Sequence, residues 1–254
     1  MRIGRSGPRR VYCVGLPKCG THSLAAMFAG ACRAAHEPDA EPLLPLLAQA
    51  RSGSLPVGEL RSFFRSRDRR LALDLESNHL LASFVPHLLD AFPRARFVVL
   101  VRGCHDWIDS MISDQLNLRT WDGYQRWHVV YDEYMVRDGR LFPPQERILE
   151  DLDLYPLAHY IRYWCEEPQA IMRGLPPGSV LALRTEDLGA AVPRIASFVG
   201  VSAEAVATER SHSYRSPQKH SVLDSIDSEY LERLIEAHAG QATEWRDRLA
   251  SSAG

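Results

Sequence analysis

The stretch VYCVGLPKCGTHSLAAMF, residues 11–28, decides the fold because it predicts a buried strand, a glycine-rich turn and a helix in succession. In that order, backbone N–H groups and the positive end of the helix dipole point at one spot and can bind an anion. Gly15 and Gly20 have the spacing of a Walker A loop, but Thr-His follows the second glycine in place of Lys-Ser or Lys-Thr. The nearby lysine, Lys18, lies inside the loop instead. The stretch therefore predicts an anion site of a different type.

The rest of the chain alternates between strand and helix patterns. The predicted strands are 9–15, 71–76, 94–103 and 178–184, and the predicted helices are 20–36, 77–93, 105–116, 154–174, 186–200 and 230–249. Residues 37–70 are less regular and indicate a flexible excursion with a short helix. This alternation predicts an α/β fold of three layers, with a central parallel β-sheet flanked by helices, similar to the P-loop nucleotide hydrolases.

The length and composition suit one such domain. The chain has 254 residues, of which 45% are hydrophobic. We expect a single domain over 1–254, with a lid or acceptor-binding insertion around 119–153 and a C-terminal helical segment over 222–250. Ligands of parallel sheets bind at the carboxyl ends of the strands, so segments 15–23, 76–79 and 102–110 are expected to meet there.

The charge balance and the cysteines limit the possible functions further. A formal net charge of −2 gives no general attraction to nucleic acids or membranes, and we expect neither as a partner. The five cysteines form no Cys-x-x-Cys pair, which disfavours zinc and a disulfide framework and favours the cytoplasm. We expect neither a signal peptide nor a membrane anchor, since no apolar run reaches the roughly 18 residues that span a bilayer.

Three segments carry a family resemblance. GLPKCGTHSL, residues 15–24, is similar to the 5′-phosphosulfate loop of the sulfotransferases that use 3′-phosphoadenosine-5′-phosphosulfate (PAPS). VVLVRGCHDWIDSMI, residues 98–112, resembles the family's second element, in which a strand ends in arginine and a serine follows eight residues later. The family's third element is a strand followed by an acidic turn and a helix, and VLALRTEDLGAAVPRIASFVG, residues 180–200, is similar to it. The three lie in the family's order.

The resemblance implies PAPS as cosubstrate. His22 stands where a Walker A loop has its metal-binding hydroxyl, so we expect no metal. The expected lack of a membrane anchor favours, as acceptor, a hydroxyl or amine of a small-molecule or glycosylated metabolite. It implies that Lys18 stabilises negative charge on the departing 5′-phosphate, as donors in oxyanion sites do. Arg102 and Ser110 are implied to hold the 3′-phosphate. The residues implied to bind the 5′-phosphosulfate are Pro17, Lys18, Cys19, Gly20, Thr21, His22 and Ser23.

The acceptor must lose a proton, so a base is needed near the loop. Two candidates are Glu76, at the end of the predicted strand 71–76, and His79, just after it, and His22 is a third. Carbohydrate N-sulfotransferases use a glutamate at a strand end, which LESN resembles. Cytosolic sulfotransferases use a histidine followed by leucine, which His79 and Leu80 resemble. Both alternatives stay open.

Two further groups of residues are weaker candidates. In YRSPQKHS, residues 214–221, Arg215 and Lys219 stand where the family closes the 3′-phosphate site with basic residues. Aromatic residues at helical spacing suggest either core or acceptor pocket, and they are Trp121, Tyr124, Trp127, Tyr131 and Tyr134.

Two other functions remain compatible with the pattern. An atypical P-loop kinase would need ATP and magnesium, for which the usual lysine and hydroxyl are missing. A non-catalytic nucleotide-binding protein of the same fold would bind adenosine 3′,5′-bisphosphate without turnover.

Overall fold

The computed structural model describes residues 10–52, 54, 56–121, 124–136, 139–211 and 216–239. At residues 48, 51, 52, 57, 124–129 and 239 it describes the backbone alone.

A five-stranded parallel sheet forms the centre of the described chain, with the strand order β2-β3-β1-β4-β5. The strands are β1 Val11–Gly15, β2 Ala34–His36, β3 Leu75–Ser77, β4 Arg96–Val101 and β5 Val180–Arg184. Neighbouring strands are all parallel. Helices flank the sheet in a three-layer α/β arrangement, as the alternation of strands and helices predicts.

The described helices connect and cover these strands. They are α1 Thr21–Phe28, α2 Leu44–Ser52, α3 Val57–Leu71, α4 Val85–Ala91, α5 Cys104–Leu118, α6 Tyr124–Met135, α7 Arg147–Asp151, α8 Leu157–Arg173, α9 Val192–Val199 and α10 Ser228–Ala239. Short 3₁₀ turns lie at Glu41–Leu43, His79–Phe84, Pro144–Glu146, Thr185–Asp187, Ala203–Ala205, Thr208–Arg210 and Val222–Ser225.

The core lies around β1 and β4. Every residue of β1 is buried, and so is every residue of β4 after Arg96. Both faces of such a strand are covered, so apolar side chains on either face stabilise the fold when they are buried. This is why the sequences of β1 and β4 are continuous apolar runs. Trp107 of α5 is fully buried against Tyr160 and Tyr163 of α8.

The predicted helix over 20–36 is wrong beyond Phe28. The chain turns after α1, and Ala34, Ala35 and His36 form the edge strand β2, which pairs with β3. Alanine favours a helix, but local propensity is weak compared with the hydrogen bonds and burial that a sheet edge offers.

The prediction of an irregular excursion over 37–70 is also wrong. Two helices, α2 and α3, occupy most of it, and α3 is 15 residues long. The many arginines of α3 made the segment look irregular, but one face of the helix is apolar, and its Leu60 and Phe64 are buried.

Two other predicted helices are shorter than expected. Over 77–93, a 3₁₀ turn comes first and α4 begins at Val85, with Pro86 in its first turn. Over 186–200, α9 begins at Val192, and Gly200 ends it in the left-handed conformation with φ of 82°. Proline fits the first turn of a helix because its missing N–H has no partner there.

The strand order reverses at β1, and this positions a cleft. The chain leaves β1 towards β2 on one side, and it returns past β1 to reach β4 on the other side. Loops that diverge in this way open a crevice at the carboxyl ends of the strands. Within the described ranges, no helix combines the length and the apolar character needed to cross a membrane.

Candidate active site

A cleft of about 770 Å³ opens at the carboxyl ends of β1, β3 and β4. Most of the predicted site residues line it: Pro17, Lys18, Gly20, Thr21, His22, Ser23, His79, Arg102, Ser110 and Lys219. The size is that of an ordinary small-molecule site. The structure thus brings together residues that are up to two hundred positions apart in the sequence.

Glycine is required at both ends of the loop that follows β1. A Cβ on Gly15, at φ of 151°, would lie 2.6 Å from the carbonyl oxygen of Leu100. A Cβ on Gly20, at φ of 90°, would lie 3.1 Å from Cγ2 of Thr185. These close approaches let the loop fold tightly onto β4 and onto the turn after β5.

Neighbouring elements hold the carbonyl groups of the loop. Trp107 Nε1 donates to the Pro17 oxygen at 2.8 Å, and Thr185 Oγ1 donates to the Cys19 oxygen at 2.8 Å. Carbonyl oxygens repel an anion, so engaging them in hydrogen bonds favours anion binding at the start of α1.

Cys19 is the one loop residue among the candidates that the structure does not bring into the cleft. It is fully buried, and its N–H points to the Leu16 oxygen at 3.4 Å. Burial raises the pKa of its thiol to about 12, so this sulfur stays protonated and unreactive. Its place behind the loop makes it a packing residue.

Lys18 stands inside the loop with φ of 64°, and its Nζ lies 2.7 Å from Oδ1 of Asp114 on α5. Lys219 makes a second pair with α5, with its Nζ 3.2 Å from Oδ2 of Asp109. Lys219 is 72% exposed, whereas both side chains of the Lys18 pair are largely buried. Sequence reasoning missed Asp114, although it stands four residues after Ser110 and therefore on the same helical face.

Arg102 follows the last residue of β4, and its carbonyl oxygen accepts a hydrogen bond from Trp164 Nε1 at 2.8 Å. Ser110 lies two turns farther along α5. Both side chains line the cleft. The spacing that suggested a joint site therefore corresponds to a strand end and the helix after it.

Glu76 does not line the cleft, and its geometry speaks against a role as base. It is 4% exposed, and its two carboxylate oxygens accept from Arg67 of α3 at 2.6 and 2.7 Å. Asn78 Nδ2 donates to the same carboxylate at 3.1 Å. A carboxylate paired in this way with a buried guanidinium serves the fold rather than the cleft. The arginine partner could not be found from sequence, since the predicted pattern made 37–70 irregular.

His79 does line the cleft, and Glu37 holds it. His79 begins the 3₁₀ turn after β3, which Asn78 caps by accepting from the Leu80 N–H at 3.0 Å. Its Nδ1 lies 2.6 Å from Oε1 of Glu37, the residue after β2. Burial alone would raise the pKa of Glu37, but the charge and hydrogen bond of His79 lower it to about 2. The pair is a histidine oriented by an ionised carboxylate.

His36 completes a cluster around Glu37. Its Nε2 lies 3.2 Å from Thr21 Oγ1 and 3.3 Å from Glu37 Oε1, and its ring meets the His22 ring edge-on at 5.0 Å. Burial lowers the pKa of His36 from 6.5 to about 4, against the opposing charge of Glu37. Neither His36 nor Glu37 was predicted as a site residue, because the sequence pattern placed them in or just after a helix.

The remaining candidates divide between cleft and core. Trp121, which is 47% exposed, and Tyr131 line the cleft. Tyr134 stacks on Tyr163 in the core, with ring centroids 5.1 Å apart. The side chains of Tyr124 and Trp127 lie outside the described residues, as does all of Arg215. In the described ranges, no group of three or more His, Cys, Asp or Glu side chains has a metal-binding arrangement.

Replacing Glu76 tests whether it is structural. We expect Glu76→Gln to lower the free energy of unfolding by about 3 kcal/mol, because it leaves the Arg67 charge buried without a counter-charge. Denaturant titration measures this, and the apolar double variant Arg67→Met with Glu76→Leu should recover part of the loss. A Glu76→Gln protein of unchanged stability with no turnover would restore Glu76 as the base.

His36 should make stability fall in mild acid. Its pKa is about 4 in the folded chain and 6.5 when unfolded, so between these values the unfolded state binds more protons and stability is lost as pH falls. Between pH 7 and pH 5, the free energy of unfolding of His36→Gln should fall by about 1–2 kcal/mol less than that of the unchanged protein. Urea unfolding at both pH values measures this, with the exposed His105→Gln as control. Equal losses in all three proteins would contradict it.

One comparison with known families found a match that overlaps the cleft. A family model described as a sulfotransferase domain matches residues 72–166, from the end of α3 into α8. The match spans β3, β4 and α5, and so includes His79, Arg102, Ser110 and Asp114. No curated protein matches the chain. The matched segment is less than half of the chain, and together with the three-layer parallel sheet it supports a place in the sulfotransferase superfamily.

Proposed function

We propose that the chain transfers the sulfuryl group of PAPS to a hydroxyl or amine of a small-molecule acceptor by in-line displacement. The observation that carries the proposal is the position of Lys18. It lies inside the anion loop and faces a cleft that also contains Arg102, Ser110 and the His79–Glu37 pair.

The residues present fit such a donor at both of its charged ends. Thr21 and Ser23 are largely buried yet line the cleft, so their hydroxyls can donate to a 5′-phosphosulfate at the start of α1. Arg102 and Ser110 offer a guanidinium and a hydroxyl for a 3′-phosphate, and guanidinium binds phosphate in a fork geometry. The first group follows β1 and the second follows β4, and these are neighbouring parallel strands of the sheet.

Lys18 supports the leaving group. PAPS supplies an activated sulfuryl group, and negative charge grows on the oxygen that bridges sulfur to the 5′-phosphate when that bond breaks. A lysine in a partly buried loop stabilises this charge more than water would. Asp114 now holds the ammonium group at 2.7 Å, so Lys18 exchanges one anionic partner for another when the donor binds.

His79 accepts the proton of the acceptor. Because Nδ1 donates to Glu37, Nε2 is the ring nitrogen that can take a proton, and the ionised carboxylate stabilises the imidazolium that results. The acceptor oxygen or nitrogen forms its bond to sulfur while its proton passes to Nε2. Glu76 has no part in this step.

The acceptor side of the cleft supports a small organic acceptor. Leu118, Trp121 and Tyr131 offer an apolar and aromatic wall beside the charged residues. We also propose a cytoplasmic location, which the five free thiols support because reducing compartments keep cysteines in this form.

Calorimetry tests the choice of donor. Adenosine 3′,5′-bisphosphate should bind without magnesium and more tightly than ATP with magnesium. The reverse preference would indicate a kinase. Tight binding of the bisphosphate, with no turnover of labelled PAPS on any metabolite pool, would indicate a non-catalytic protein.

Lys18→Met tests the leaving-group role. We expect turnover with the acceptor found by that screen to fall about 10²–10³-fold, because the charge on the departing oxygen loses its partner. Affinity for adenosine 3′,5′-bisphosphate should change by less than about tenfold. Lys219→Met is the matched comparison, since it also faces an α5 carboxylate but should act on binding more than on turnover. Similar turnover losses in both variants would remove the special role of Lys18.

His79→Asn tests the base. Turnover should fall about 10²–10⁴-fold, while affinity for the bisphosphate stays close to that of the unchanged protein. Glu37→Gln should have a smaller effect, on the order of tenfold, because it leaves the imidazole in place. His87→Asn on α4 serves as control. Full turnover by His79→Asn would exclude it as the base.

A further inference from the structure

Four side chains connect the anion loop to the base. They run from Thr21 at the first position of α1, through His36 and Glu37 at the end of β2, to His79 after β3. The three contacts are Thr21 Oγ1 to His36 Nε2 at 3.2 Å, His36 Nε2 to Glu37 Oε1 at 3.3 Å, and Glu37 Oε1 to His79 Nδ1 at 2.6 Å. One carboxylate oxygen therefore faces both histidines.

The geometry fixes which nitrogen of His36 carries the proton. Nε2 faces an ionised carboxylate oxygen, which only accepts, so a bare nitrogen lone pair there would be repelled. A proton on Nε2 is attracted by Glu37 Oε1 and by Thr21 Oγ1 at once. His36 is therefore a donor to Thr21, and the hydroxyl oxygen of Thr21 is an acceptor.

This direction has a consequence for the loop. A hydroxyl whose oxygen accepts from His36 keeps its own proton for another partner. Thr21 is largely buried, lines the cleft and begins α1, where an anion would lie. With the opposite tautomer, the Thr21 proton would point at His36, and the loop would lose a donor.

We propose that His36 is a positioning residue, which donates to Thr21 and Glu37, turns the Thr21 hydroxyl towards the 5′-phosphosulfate, and links the anion loop to the His79 base. This inference rests on the proposed function, because it assigns the anion to the donor nucleotide.

Hydrogen bonds hold the segment that carries His36 and Glu37 in place. Glu37 has φ of 45°, a left-handed conformation that a glutamate adopts only when its surroundings require it. Its N–H donates to the Ser77 oxygen at 3.0 Å, and buried Arg67 donates to the Pro38 oxygen. The Arg67–Glu76 pair thus fixes the turn that supplies the two residues.

Burial keeps His36 neutral. Burial lowers its pKa, and the charges of His22, His79 and Lys18 add to this, while Glu37 alone opposes them. A neutral ring with its proton on Nε2 is the state that the proposal needs at ordinary pH.

The tautomer can be measured in the ligand-free protein. Long-range ¹H–¹⁵N correlation spectra of the ten histidines should show one imidazole with a protonated Nε2 and a bare Nδ1 that does not titrate between pH 6 and pH 8. His36→Gln assigns that signal by its loss. A proton on Nδ1, or on both nitrogens, would overturn the proposal whatever the protein binds.

Binding tests the link to Thr21, with adenosine 3′,5′-bisphosphate as the probe in calorimetry. We expect Thr21→Val and His36→Leu each to weaken binding about tenfold, the loss of one hydrogen bond to a charged group. The double variant should also be weakened about tenfold and not hundredfold, because both changes remove the same donor. His36→Gln should retain affinity, since its side-chain amide still donates to Thr21.

The outcomes separate this inference from the proposed function. If the unchanged protein does not bind the bisphosphate, the proposed function fails and this inference fails with it. The inference alone fails in two cases in which the unchanged protein binds the bisphosphate. In the first, His36→Leu binds it with the same affinity as the unchanged protein. In the second, the losses of affinity of the two single variants add up in the double variant. Thermal unfolding of each variant, with His87→Leu as control, excludes a loss of folding, and the tautomer measurement decides the matter if His36→Leu does not fold.

Discussion

The site depends on the close parallel pairing of β1 with β4. Gly15 lies opposite Leu100, and the carbonyl of Leu100 occupies the space that a side chain at position 15 would need. This contact brings the loop after β1 against the beginning of α5. As a result, Lys18 reaches Asp114, Trp107 reaches the Pro17 carbonyl, and Arg102 emerges on the same side as the first turn of α1. A looser pairing would move Arg102 away from the loop after β1.

The balance of charge in the cleft is a second feature of the fold. Of the described residues that line the cleft, Lys18, Arg102 and Lys219 are cations, whereas Glu37, Asp106, Asp109, Asp114 and Glu186 are carboxylates. α5 supplies the carboxylates that face both lysines. Ion pairs of this kind lower the cost of keeping a partly buried lysine charged. They also mean that an anionic ligand competes with the carboxylates of the protein for the same ammonium groups.

The two glutamates near the cleft show how environment divides similar groups. Glu76 accepts from a buried guanidinium and lies away from the cleft, whereas Glu37 accepts from an imidazole that lines it. The first arrangement stabilises the fold, and the second orients a group that can exchange a proton. Arg67 connects them, because it binds Glu76 and also holds the turn that carries Glu37.

The sequence by itself determined the elements whose signals are local. The glycine spacing predicts the loop, the apolar run predicts β4, and the distance from Arg102 to Ser110 predicts a strand end and the helix after it. Only the tertiary structure decided the rest. β2 follows an alanine-rich helix and has no strand signal of its own, so His36 and Glu37 were not visible as neighbours of Thr21 and His79. The partners of Glu76 and Lys18 come from α3 and α5, and no local pattern specifies such contacts, because pairing between distant segments depends on how the whole sheet is ordered.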